Sequence, residues 1–219
     1  MNRFYGPQHR QFQDESGTRP LADRLAALAH VELTPDERGF IESRTMFFLS
    51  TVDHLGRPTV SYKGGAAGFV RVAPDSSLLF PSYDGNGMYL SLGNIAATAE
   101  IGMLFIDFEE PHRLRLQGTA EILREPSLLA AAPGAQYVVR VRPHDIFVNC
   151  GRYIHQPGTV SPHIPDEQGH QPFPAWKRIE LFGDVLTDAD RRRVAGAGGP
   201  IPLEDYRGEH HVDRPEGAG

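Results

Sequence analysis

The chain has 219 residues, 40% hydrophobic and 23% charged, which suits one substantial domain with appendages and is too apolar for a disordered chain. Its formal net charge of -6 provides no global positive field for nucleic acid or an anionic membrane, so any phosphate site is local. Cys150 is the single cysteine, which excludes an intramolecular disulfide and multi-cysteine zinc or iron-sulfur centres.

Residues 1–20 are polar, with no stretch of signal-peptide kind, and read as a loose arm. No run of about 18 apolar residues follows anywhere, so a soluble, cytoplasmic protein with no membrane or nucleic-acid partner is expected. Leu21, Leu25, Leu28 and Ala29 are spaced for one helical face, and Thr34-Pro35-Asp36-Glu37 carries an N-cap with Pro at the first helical position. Two short helices are expected before the sheet.

From Met46 the pattern becomes that of strands. Met46 to Val52 and Thr59 to Tyr62 form a hairpin across Asp53-His54-Leu55-Gly56-Arg57-Pro58, and Gly68 to Val72 pairs with Leu78 to Phe80 across Ala73-Pro74-Asp75-Ser76. Asn86 to Ala99 places Met88, Leu92 and Ile95 at helical spacing. Ile101 to Ile106, Arg113 to Leu123 and Tyr137 to Val148 complete the strands. Many short strands with one dominant internal helix predict a mainly β fold, an antiparallel barrel with flanking helices. The expected domains are an N-terminal arm with short helices over 1–42, a barrel over 43–156, and a Pro/Gly-rich extension over 157–219.

Four stretches can carry chemistry. In Ser82-Tyr83-Asp84-Gly85-Asn86-Gly87-Met88 a strand passes through two glycines into a helix, which suits a phosphate or a plain turn. Ser61-Tyr62-Lys63 offers a hydroxyl, a phenol and an ammonium at a strand end, as an anion site or a solvated surface. Arg113, Arg115 and Gln117 share one strand face, turned to water or to an acidic ligand. Arg152, Tyr153 and His155 follow a strong strand; with Trp176 from the later tail they are expected to form an arm over a planar ligand, the alternatives being a capping turn and a mobile tail. Cys150 reads as a small buried hydrophobe.

The order of these pieces resembles the pyridoxamine-5′-phosphate-oxidase-like family. The resemblance rests on Phe48-Leu49-Ser50-Thr51-Val52-Asp53 with Gly56-Arg57-Pro58, on Ser61-Tyr62-Lys63-Gly64-Gly65 with Gly68-Phe69-Val70, and on Ser91-Leu92-Gly93-Asn94-Ile95. It continues through Ile101-Gly102-Met103-Leu104-Phe105 and Arg113 to Ala120, covering about Ile41 to His155. It implies a homodimeric split β-barrel that holds flavin mononucleotide (FMN) at the subunit interface. Lys63 matches a phosphate contact; Ser61, Tyr62, Ser82, Asn86, Gly87 and Met88 sit where the family lines its flavin; Gln117 falls on the strand that reaches the ring. Tyr83, in the glycine loop, and Arg152, whose guanidinium can stack on a planar ring, complete the expected cofactor contacts. Where many relatives carry paired basic residues this chain has Gly87 and Met88, and the basic C-terminal signature for the vitamin B6 substrate is missing. The expectation is therefore an FMN-dependent oxidoreductase acting on some other small molecule, with no protein-bound metal site. The alternatives are a non-catalytic flavin or haem holder, with His155 or His163 as iron ligand, and a deazaflavin (F420)-dependent reductase.

Overall fold

The fold is that of a computed structural model, which describes residues 4–210. It divides into two units, one of Ala29–Ser161 and one of Met1–Leu28 with Pro162–Gly219.

The Ala29–Ser161 unit is a seven-stranded antiparallel sheet with flanking helices. Its strands are β1 (Met46–Val52), β2 (Pro58–Gly64), β3 (Arg71–Val72), β4 (Leu78–Tyr83), β5 (Glu100–Asp107), β6 (His112–Leu123) and β7 (Ala135–Asn149). The order in the sheet is β2-β1-β5-β6-β7-β4-β3. Four inter-strand spacings separate β1 from β4, about 19 Å if the sheet were flat. Yet Phe47 of β1 meets Phe80 of β4 edge to face with ring centroids 5.1 Å apart, and Phe105 of β5 at 5.2 Å. The sheet therefore curls around its own core. Phe47, Leu49, Phe80, Phe105, Leu114, Leu116, Val139, Val141 and Ile146, each at most 2% exposed, fill the interior.

Local chemistry explains the elements around that core. Thr34 caps the helix Pro35–Ser43 in a reciprocal box with Glu37. In the β1–β2 turn the Asp53 carboxylate accepts from the Arg57 and Leu55 backbone N–H groups and pairs with the Arg57 guanidinium, which together lower its pKa to about 2. The internal helix runs from Leu90 to Thr98, four residues later than Asn86. The delay is a turn: Asn86 Oδ1 accepts from the Met88 N–H, and Gly87 and Tyr89 both take positive φ.

In the other unit, the loose arm expected over the first twenty residues contains the helix Pro7–Glu15, followed by Arg19–Ala27. Residues from the two ends of the chain build one small core: Leu21 packs with Ile179, Phe182, Leu186 and Val194. Arg24 donates to the Asp184 carboxylate at 2.8 Å, and Lys177 pairs with Asp190 at 2.5 Å. The boundaries thus differ from the expected 1–42, 43–156 and 157–219. Residues 29–42 belong with the sheet, and residues 162–210 gain a core because Leu21 completes their apolar cluster. The residues from 211 onward lie outside the described part. Among the described residues no helix is long and apolar enough to cross a membrane.

Candidate functional site

The clearest cluster of polar side chains lies where β2 meets the start of the helix Leu90–Thr98. Ser61 and Lys63, two apart on β2, project to one side of it. Ser61 Oγ is 3.1 Å from Ser91 Oγ, and Lys63 Nζ donates to the same oxygen at 3.2 Å. Ser91 stands in the first turn of a helix whose N-cap, Tyr89, supplies no side-chain acceptor. The first N–H groups of that helix thus keep their hydrogen-bonding capacity, and the dipole adds partial positive charge. Deeper down, Asn94 donates to Thr51 and Thr59 at 3.0 and 3.2 Å and fixes the helix on β1 and β2.

The electrostatics here are unusual for a lysine. Lys63 is partly buried and makes no ion pair among the described residues, and burial pushes its ammonium below the ordinary lysine range. A depressed lysine means that the charged form is held at a cost below that lowered pKa, and a bound anion offsets it. Sulfate, charged over the whole range, is therefore expected to bind with an affinity that is level near neutral pH and falls as pH rises through the lowered lysine pKa. Titration calorimetry across pH checks this; a pH-independent affinity, or one kept in Lys63→Met, would place the anion elsewhere.

The loop before the helix is braced by Gln136, which donates to Asp84 Oδ1 and accepts from the Tyr89 hydroxyl, both at 3.1 Å. Asn86, Gly87 and Met88 form its exposed tip. Ser82 is half-buried on β4 opposite Tyr137. Tyr83 does not join Lys63: it lines a separate apolar concavity of about 230 Å³ with Phe69, Arg71 and Leu128, because a register shift between Ser82 and Tyr83 turns it aside.

Tyr62 and Gln117 belong to the opposite, outer face of the sheet. Tyr62 points away from Lys63 and meets Phe48 edge to face at 6.2 Å. Across β1, β5 and β6 the register aligns Ser50, Gly102 and Gln117 in one row. Gly102, lacking a side chain, forms the floor of a concavity of about 520 Å³ rimmed by Phe48, Val60, Arg115, Gln117 and His144. Arg113 and Arg115 share this face with Gln117, as their period predicts, and neither makes an ion pair among the described residues. Arg152 lies over the ring of its neighbour Tyr153 at 5.1 Å. His155 Nδ1 accepts from the Ser161 N–H at 3.2 Å, and Trp176 packs edge to face on Phe182 in the other unit. Cys150 is free and half-buried.

Two residues outside the candidate set also lie at these clusters. Ser91 joins Ser61 to Lys63, and its sequence signals are a hydroxyl in the first turn of a helix and its place in the Ser91–Ile95 stretch that carries the resemblance. His144 reaches the outer concavity, and its signal is the preceding Pro143, a residue that an inner strand tolerates only at an irregularity.

A family model described as pyridoxamine 5'-phosphate oxidase matches residues 33–179, about two thirds of the chain. The chain belongs to the pyridoxamine 5'-phosphate oxidase family. No curated protein matches it. Solved structures similar to it include HupZ of Group A Streptococcus, at 22% identity over 53% of this chain and 94% of that one, with a TM-score of 0.44. The heme storage protein HutZ from Vibrio cholerae is 18% identical over 53% and 94%, with a TM-score of 0.40. An F420 reductase is 20% identical over 52% and 98%, with a TM-score of 0.37.

Proposed function

We propose that this member of the family is a cytoplasmic, homodimeric, FMN-dependent oxidoreductase acting on a small molecule. The observation that carries the reading is the partly buried Lys63 ammonium, which has two serine hydroxyls and a helix N-terminus beside it and no carboxylate partner among the described residues. That donor set fits a phosphate monoester, which needs several convergent donors and positive charge. A carboxylate ligand would use fewer of them.

The placement of the candidate residues on two faces supports the homodimer reading. Ser61 and Lys63 lie on one side of the sheet and Tyr62 and Gln117 on the other. Two copies of the chain contributing to each site would let one flavin touch both sets. Phe48, Val60 and Tyr62 then give the outer face apolar surface for the second copy to cover, Val60 and Tyr62 being 70% and 62% exposed.

When bound, FMN supplies hydride and electron transfer at its ring. The protein's own work is to hold and orient. Lys63, Ser61 and Ser91 take the phosphate, the braced loop at Asn86, Gly87 and Met88 closes beside it, and the Gln117 amide offers a donor and an acceptor to the ring edge.

The test offers FMN, riboflavin, F420 and haem separately to the purified protein and follows absorption and light scattering. The expected result is saturable FMN uptake near one per chain by a species of twice the chain mass. A Soret band without flavin uptake moves the protein to haem storage, and uptake of F420 alone moves it to deazaflavin chemistry.

A further inference from the structure

The β6–β7 ladder contains one irregularity, and it lies at the outer concavity. Gln117 pairs with Asp145 and Gly118 with Pro143, so His144 is the extra residue of a bulge. Two sequence features impose this. Pro143 has no N–H for the ladder. Gly118 admits the chain at close range, since a Cβ there would lie 2.3 Å from the Arg142 carbonyl oxygen.

The bulge puts two neighbouring side chains in contact that a regular strand would send to opposite faces. His144 Nδ1 lies 3.1 Å from Asp145 Oδ2. The Asp145 side chain is only 8% exposed, while that of His144 is 47% exposed and opens into the concavity beside Gln117. On the far side of the ring, Nε2 is 3.8 Å from Glu100 Oε2, on a glutamate 60% exposed at the rim. A buried carboxylate against one ring nitrogen selects the tautomer with the proton on Nδ1 and leaves Nε2 to accept and return a proton. Among the described residues, Arg115 on β6 lines the same concavity, and Arg142, two residues before His144 on β7, pairs with Glu121 at 2.7 Å.

We propose that His144 is a catalytic residue that passes a proton between Nε2 and a substrate heteroatom at the outer concavity, and that Asp145 is its positioning residue. The inference rests on the flavin reading above, which puts the ring beside Gln117. The substrate class is a small molecule with a carbonyl or imine, its heteroatom meeting His144 and an anionic substituent meeting the unpaired Arg115. In the proton step the Nε2–H bond breaks with its electron pair left on nitrogen, and an O–H or N–H bond forms on the substrate. The ring regains its proton from water at the Glu100 side.

The experiment has a spectroscopic arm and a kinetic arm. In flavin-free protein, nitrogen-15 NMR of the neutral His144 ring should report the proton on Nδ1, with a mixture of tautomers in Asp145→Ala. A wild-type ring protonated on Nε2 would overturn the proposal. In FMN-loaded protein, reduced anaerobically, oxidation by para-benzoquinone is followed by stopped flow. His144→Ala should keep wild-type FMN affinity, lose about tenfold or more in rate together with one limb of the pH profile, and regain rate with added imidazole. Wild-type rates in that variant with normal FMN uptake refute the role of His144 and leave the flavin reading standing. Failure of the wild type to take up FMN brings down both.

Discussion

Gly118→Ala should lower the unfolding free energy on the order of 3 kcal/mol, because the added methyl meets a backbone carbonyl and not a side chain that can swing away. The Cβ would stand 2.3 Å from the Arg142 oxygen and 3.0 Å from its carbonyl carbon. Relief requires β6 and β7, the middle of the sheet, to part at the bulge. Gly102→Ala is the matched control, since a Cβ there would meet only Ser50 Cβ at 3.7 Å and Leu116 O at 4.0 Å, ordinary contacts. It should shift the urea midpoint by less than about 1 kcal/mol equivalent. Equal midpoints for the two variants would show that the bulge yields without cost.

Lys63→Met should weaken FMN about ten- to a hundredfold and leave riboflavin almost unchanged, because one charge-assisted contact contributes about 1.5–3 kcal/mol and riboflavin has no phosphate to receive it. Methionine keeps most of the apolar stem, so the loss reports the charge. In flavin-free protein the sign reverses. The ammonium is partly buried with no acidic partner among the described residues and its pKa is depressed by that burial, so its removal should maintain or raise the urea midpoint. Fluorescence titration with both ligands and urea unfolding check the pair of signs. Equal losses for FMN and riboflavin would take the phosphate away from Lys63.

These two residues show what local pattern conveys. Gly118 and Lys63 both fall in stretches that resemble the family, yet the reason each is needed comes from a partner far along the chain: Arg142 for the glycine, Ser91 for the lysine.

The chain's own pattern determined much of the architecture. Met46–Val52 alternates and forms β1 over that range; Arg113, Arg115 and Gln117 share a face with period two; Thr34-Pro35 with Glu37 starts a helix where the capping chemistry requires it. Such features depend on neighbours within a few residues, and sequence displays those directly. Only the tertiary structure decided which faces look at one another. It separated Tyr62 and Gln117 from Ser61 and Lys63, turned Tyr83 toward Phe69, brought Ser91 to Lys63, and seated Leu21 among Ile179, Phe182 and Leu186. It also placed His144 against Asp145 through a one-residue shift in register. Each of these outcomes is set by strand pairing or packing between distant segments. A register slip of one residue reverses every facing that follows, while the residues and their local periodicity stay the same.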